Sequence, residues 1–121
     1  MLNKQNFLNA INQNIEMVRN DTLAFNFEIQ GLQGDLPTDI IFYCTDNPSN
    51  TAIFTLDTTS GITLENYDDE TDTLTYSCRI APEITENLDI ARYYYDMTLI
   101  YDTDRITLMR GRLDLLYNIT D

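Results

Sequence analysis

The densest cluster of side chains that could carry chemistry is an acidic run near the middle of the chain, Asp68, Asp69, Glu70 and Asp72. Carboxylate oxygens are ligands that Ca²⁺ takes in proteins. The run lacks the D-x-D-x-D-G spacing and the distal Glu of an EF-hand loop. We therefore interpret it as a solvated loop and predict no metal site and no cofactor.

Residues for catalysis are sparse elsewhere. The chain has no His, which is the most frequent general acid or base near neutral pH, and its four Gly form no phosphate-binding loop spacing. Asp96 is the carboxylate with the most apolar neighbours, Tyr95 and Met97, but strand alternation would project it to the opposite face. We predict a hydrogen-bonded surface residue there, and a protein that is not an enzyme.

The net charge of the chain limits the kinds of molecule that it can bind. Twenty Asp and Glu against seven Lys and Arg give a formal charge of −13, which opposes binding to nucleic acid or to an anionic membrane surface. No stretch is apolar enough for a signal peptide or a membrane span, so we expect synthesis in the cytoplasm without secretion. The basic cluster is Arg110-Gly111-Arg112. Its arginines either pair with acids across a sheet or contact an acidic neighbouring subunit.

The two cysteines, Cys44 and Cys78, each lie within an apolar, strand-like run. Their spacing fits neither a C-x-x-C redox motif nor a zinc knuckle. Two buried free thiols are our prediction, because cytosolic folding keeps thiols reduced. A disulfide between two sheets remains the alternative.

The first 18 residues show apolar side chains at spacings of mostly three or four, which predicts an amphipathic helix over residues 1–18. Its apolar stripe consists of Phe7, Leu8, Ile11 and Ile15. Asn is frequent here and is a poor helix former, so the helix must dock on something. We predict that the stripe contributes to a subunit contact; packing on its own domain is the alternative.

From residue 19 onward the period changes from helical to two. Alternation is clearest in Leu74, Tyr76, Cys78 and Ile80, and turn signals recur at roughly ten-residue spacing. About seven short strands without crossover helices favour an antiparallel β-sandwich over residues 19–121, with a small closed barrel as the alternative. The predicted core consists of Phe25, Phe27, Phe42, Leu74, Tyr76, Cys78, Tyr93, Tyr95, Met97 and Leu99.

In the last strand, the apolar residues expected to face the core change from even to odd residue numbers. Ile106 and Leu108 share one parity, whereas Leu113 and Leu115 take the other, so an extra residue must be absorbed between them. We place a β-bulge at Gly111, where the missing Cβ permits it.

The run from Asp89 to Tyr95, D-I-A-R-Y-Y-Y, resembles the D-x-A-x-Y-Y-C segment that leads into strand F of immunoglobulin domains. This resemblance implies an immunoglobulin-like sandwich with Tyr93 as its tyrosine-corner residue. Tyr95 stands where that family has Cys, so no disulfide is implied.

Further short motifs follow in order along residues 19–120: Arg19-Asn20-Asp21-Thr22, Ser60-Gly61-Ile62, Tyr93-Tyr94-Tyr95-Asp96, Leu108 to Leu113 and Asn118-Ile119-Thr120. Together they resemble small tailed-phage structural proteins and the N-terminal domain of phage baseplate upper proteins. The resemblance implies a non-enzymatic virion building block in a baseplate, tail, neck or head-fibre attachment. Its partners would be other virion proteins and further copies of itself, in the virion.

A carbohydrate-binding sandwich module is the alternative function. Exposed tyrosines stack on sugars in such modules. Tyr67 and Tyr94 exposed together on one flat face would favour this function, whereas burial in a subunit contact would favour assembly.

Overall fold

The computed structural model describes residues 11–117 of the 121-residue chain. Within them the fold is all-β, with nine strands and one helical turn. The elements are β1 Ile11–Asn12, β2 Ile15–Val18, β3 Leu23–Gln30, β4 Asp39–Thr45, β5 Phe54–Leu56, β6 Ile62–Asp68, β7 Thr73–Ile80, α1 Pro82–Thr85, β8 Arg92–Tyr101 and β9 Asp104–Leu116.

The strands form two separate sheets, which excludes the closed barrel. In sheet A, β1 and β2 pair in parallel with β9, followed by β8, β4 and β5 in antiparallel order. In sheet B, β7 lies between β3 and β6, all antiparallel. The division of β3, β7 and β6 from β4, β8 and β9 matches that of strands B, E and D from strands C, F and G in immunoglobulin-like sandwiches.

The core lies between the sheets. On β4, β7 and β8 the side chains that face it are at the alternate positions predicted from the sequence. Eight of the ten predicted core residues are buried. Phe25 and Phe27 are half-buried and pack against the others, because β3 is at the edge of sheet B. The sequence pattern did not indicate Met17, which is 5% exposed.

Strand β8 begins at the tyrosine corner and contributes to an aromatic stack with β4. The Tyr93 hydroxyl donates a 2.7 Å hydrogen bond to the carbonyl oxygen of Asp89, which confirms its predicted role. Tyr95 stacks on Phe42 of β4, with ring centroids 5.1 Å apart. This stack joins two neighbouring strands of sheet A on the side that faces the core.

The predicted helix is wrong for residues 11–18, which form β1 and β2. The inward side chains of β2, Ile15 and Met17, alternate at period two, and both pair with inward residues of β9. An Asn-rich segment gains little from helical backbone bonds, whereas the edge of β9 offers a ladder of main-chain partners. Phe7 and Leu8 lie outside the described residues.

The predicted bulge exists, but at Leu108 and not at Gly111. The register between β8 and β9 shifts between Met97 and Thr98, which pair with Met109 and Thr107 and leave Leu108 as the extra residue. Gly111 pairs regularly with Tyr95 and has another role. A Cβ on Gly111 would lie 2.8 Å from the carbonyl carbon of Gln13. Because glycine has no side chain, the backbone of Gln13, between β1 and β2, can pack against it.

Candidate functional site

The acidic run around residue 70 holds a loop together. Asp72 accepts hydrogen bonds from the backbone N–H groups of Gln33 and Gly34, at 2.9 and 3.2 Å, and from the Tyr67 hydroxyl at 3.1 Å. These bonds connect the turn between β6 and β7 to the loop after β3. Over residues 11–117 no group of three His, Cys, Asp or Glu side chains is placed to hold a metal ion.

The cysteines are free and buried, as predicted. Cys44 lies on sheet A and Cys78 on sheet B. Burial raises the pKa of each thiol to about 12, so neither is a thiolate nucleophile near neutral pH.

Because these two thiols and the Tyr95 hydroxyl are buried, we expect the free energy of unfolding to fall in alkaline solution. Burial also raises the pKa of Tyr95 to about 12. In the unfolded chain the pKa is 9.0 for Cys and 10.0 for Tyr. A group whose pKa is higher in the folded state stabilises the fold fully below its unfolded pKa, and this stabilisation is lost as the pH rises towards 12. We expect the urea midpoint to fall progressively above pH 9. A midpoint that stays constant up to pH 11 would contradict the burial of these groups.

A group of arginines lies on the outer face of sheet A. Arg92 and Asp96 project outward from β8, and Arg105, Arg110 and Arg112 project outward from β9. The bulge at Leu108 is responsible for this arrangement, because without the extra residue Arg105 would face away from Arg110 and Arg112. We call the outer side of β8 and β9 with Arg92, Asp96, Arg105, Arg110, Arg112 and Asp114 the arginine face.

The arginine face differs in charge from the rest of the chain. Within residues 11–117 it carries four of the six basic residues and two of the nineteen acidic residues. Arg92 forms an exposed ion pair with Asp114, at 3.3 Å. Arg110 lies opposite Asp96, whose carboxylate also accepts a hydrogen bond from Thr98 at 3.1 Å, as expected for a hydrogen-bonded surface residue. The face is locally basic on an acidic protein.

Next to the arginine face is a shallow hollow of about 330 Å³. Tyr43 of β4, Asp96 and Arg105 line it, and the Arg105 guanidinium donates a 3.4 Å hydrogen bond to the Tyr43 hydroxyl. The hollow therefore places an aromatic ring, a cation and a carboxylate together on the outer face of sheet A. Tyr and Arg are enriched at protein contact surfaces, whereas Asp is depleted there.

The structure brings some of the predicted site residues together and separates others. Arg110 and Arg112 share the arginine face, and the backbone N–H of Arg112 donates to the side-chain oxygen of Asn14 at 3.0 Å. Ile15 packs against the domain's own core, whereas Ile11 is 63% exposed at the edge of sheet A. Ile11 and Ile15 therefore do not form one apolar stripe with a helical period.

Arg92 and Arg105 of the arginine face, and Tyr43 of the hollow, were not among the site residues predicted from the sequence. The parity change in the last strand was a usable signal, because a bulge before Arg110 places Arg105 on the same face. The pairing of β8 with β4, which brings Tyr43 beside Asp96, had no signal in the local pattern.

The two tyrosines that would mark a sugar-binding face lie on different sheets. Tyr94 is on β8 of sheet A, and Tyr67 is on β6 of sheet B, where its hydroxyl donates to Asp72. They do not form one flat aromatic platform, so no observation favours the carbohydrate-binding alternative.

Several solved structures are similar to this chain in fold. No family model and no curated protein matches the chain. A solved chain from a photo-crosslinking study of the multimeric cell-adhesive interactions of VGSC beta subunits is 15% identical, with a TM-score of 0.43, over 88% of this chain and 93% of that chain. In the described part of this chain, no helix has the length and apolar character needed to cross a membrane.

Proposed function

We propose that this protein is a non-enzymatic assembly domain that acts through protein–protein contacts made by the arginine face. The observation that carries the proposal is the concentration of four of the seven basic residues on two neighbouring strands of a chain with a net charge of −13. On such a chain the basic strands are the surface that attracts an acidic partner, and charge complementarity also suppresses wrong partners.

A second copy of this chain supplies the acidic surface. Of the nineteen acidic residues within residues 11–117, seventeen lie outside the arginine face. A contact between the arginine face of one copy and an acidic surface of the next joins two different patches. Contacts of this kind produce rings where the rotation closes and filaments where it does not.

A virion is the setting that we propose for this assembly. The support is the resemblance of residues 19–120 to tailed-phage structural proteins, whose parts assemble into rings or anchor fibres. An immunoglobulin-like strand order fits a domain that presents a sheet face to its neighbours.

The proposal predicts self-association that depends on charge. We expect the mass of the full chain, measured by sedimentation, to exceed that of a monomer at high protein concentration and low salt. The double variant Arg105→Glu with Arg110→Glu should weaken association by about tenfold or more, because both arginines are exposed on the face. High salt should act in the same direction.

The matched control is Arg79→Glu, an exposed position on β7 of sheet B. This variant lies away from the arginine face and makes the same charge change as either single variant, Arg105→Glu or Arg110→Glu, with which its effect is compared first. If the control weakens association as much as the double variant, net charge rather than the face controls assembly. A full chain that stays monomeric at high concentration and low salt would contradict association between copies.

A further inference from the structure

The second surface that the molecule presents is a cleft along the edge of sheet B. Strand β3 has β7 as its neighbour on one side, and among residues 11–117 no strand pairs with its other side. In an antiparallel pair, alternate residues direct their N–H and C=O groups away from the partner strand. β3 therefore presents a row of main-chain donors and acceptors along its outer edge.

The cleft lies between this edge and the β1–β9 end of sheet A, with a volume of about 850 Å³. Its apolar lining comes from both sheets: Ile11, Phe27, Ile29, Leu108 and Met109. Ile11 is 63% exposed, and Phe27, Leu108 and Met109 are half-buried. The two sheets thus leave an apolar slot open directly beside an unpaired edge.

The charged residues among those that line the cleft are both acidic, Glu28 and Asp72, and the described lining contains no Lys or Arg. Glu28 points outward from β3 and is exposed. Asp72 lies at the turn before β7, where its carboxylate accepts the loop bonds described above. The occupant that complements this cleft is apolar on one side and cationic on the other.

We propose that the cleft binds an extended segment of a partner protein, with alternating apolar and basic residues, as an added strand on β3. Main-chain hydrogen bonds to the β3 edge supply the common part of the affinity. Apolar side chains at every second position enter the slot against Phe27 and Leu108, and the lysines or arginines between them face Glu28 and Asp72. This surface is distinct from the arginine face, which attracts acidic partners.

The test uses the full chain and a short labelled peptide of alternating valine and lysine, as long as β3. We expect saturable binding by fluorescence anisotropy, and protection from hydrogen exchange at the β3 amides that do not donate to β7. The Glu28→Lys variant should weaken binding by about tenfold. Glu65→Lys, on the exposed strand β6 at the other edge of the same sheet, is the matched control and should bind like the parent.

Several outcomes would overturn the proposal. Loss of binding in Glu65→Lys but not in Glu28→Lys would place the peptide at the β6 edge. If the outer β3 amides of the free protein are protected at every concentration, the chain itself covers the edge. Protection that appears only at high concentration would identify a second copy as the occupant. No binding to the parent chain would exclude the proposed segment.

Discussion

Replacing Gly111 with Val is expected to lower the free energy of unfolding by about 3 kcal/mol, which is at the upper end of the usual cost of overpacking. A Cβ at this position would lie 2.8 Å from the carbonyl carbon of Gln13 and closer still to its oxygen. Backbone cannot yield as a flexible side chain can. The same carbonyl accepts a hydrogen bond from the Tyr95 hydroxyl, so moving it also disturbs a buried core residue.

Urea unfolding followed by circular dichroism measures this effect. The matched control is Arg110→Val, at the adjacent and exposed position of the same strand. Valine suits a strand at both positions, so the difference between the two variants isolates the contact with Gln13. If Gly111→Val unfolds at the same urea concentration as Arg110→Val, β1 and β2 do not approach β9 as described.

The second large effect is expected for Phe42→Ala, which should cost about 3 to 5 kcal/mol. Phe42 is completely buried and lies between two aromatic rings, Tyr95 at 5.1 Å and Phe54 at 6.1 Å. Truncation would leave a cavity beneath β4, where paired strands on both sides, β8 and β5, restrict collapse.

Phe27→Ala is the control for this prediction. Phe27 also stacks on a tyrosine, Tyr76, at 5.7 Å, but it lies half-buried on the edge strand β3. Both variants lose the same side chain and a similar stacking contact, so burial is the main difference between them. Equal losses of stability, measured from urea midpoints in the same buffer, would show that the edge strand β3 of sheet B is as closely packed as β4 of sheet A.

Much of the β-sandwich could be predicted from apolar alternation and short motifs in the sequence. Alternation in β7 and β8 predicted their inward residues, because a strand that buries one face has an apolar side chain at every second position. The parity change in β9 required an inserted residue, and the run before Tyr93 indicated the tyrosine corner. The free thiols followed from burial and the absence of redox spacing.

Other features depended on partners that are distant in the chain. Residues 11–18 carry apolar side chains compatible with either a helical or an alternating period, and the open edge of β9 decides between them by offering main-chain hydrogen bonds. The bulge lies at Leu108, and Gly111 instead contacts the backbone of Gln13, a residue almost a hundred positions earlier.

The two candidate binding surfaces likewise depend partly on features of the sequence and partly on the tertiary structure. The amino-acid sequence alone determined that the chain is acidic, that few basic residues are present and that Arg110 and Arg112 lie together. Only the tertiary structure decided that Arg92, Arg105 and Tyr43 join them on one sheet, and that β3 borders an apolar cleft. The physical reason is that period two assigns each side chain to a face, whereas the order of strands within a sheet depends on long-range hydrogen bonding and packing.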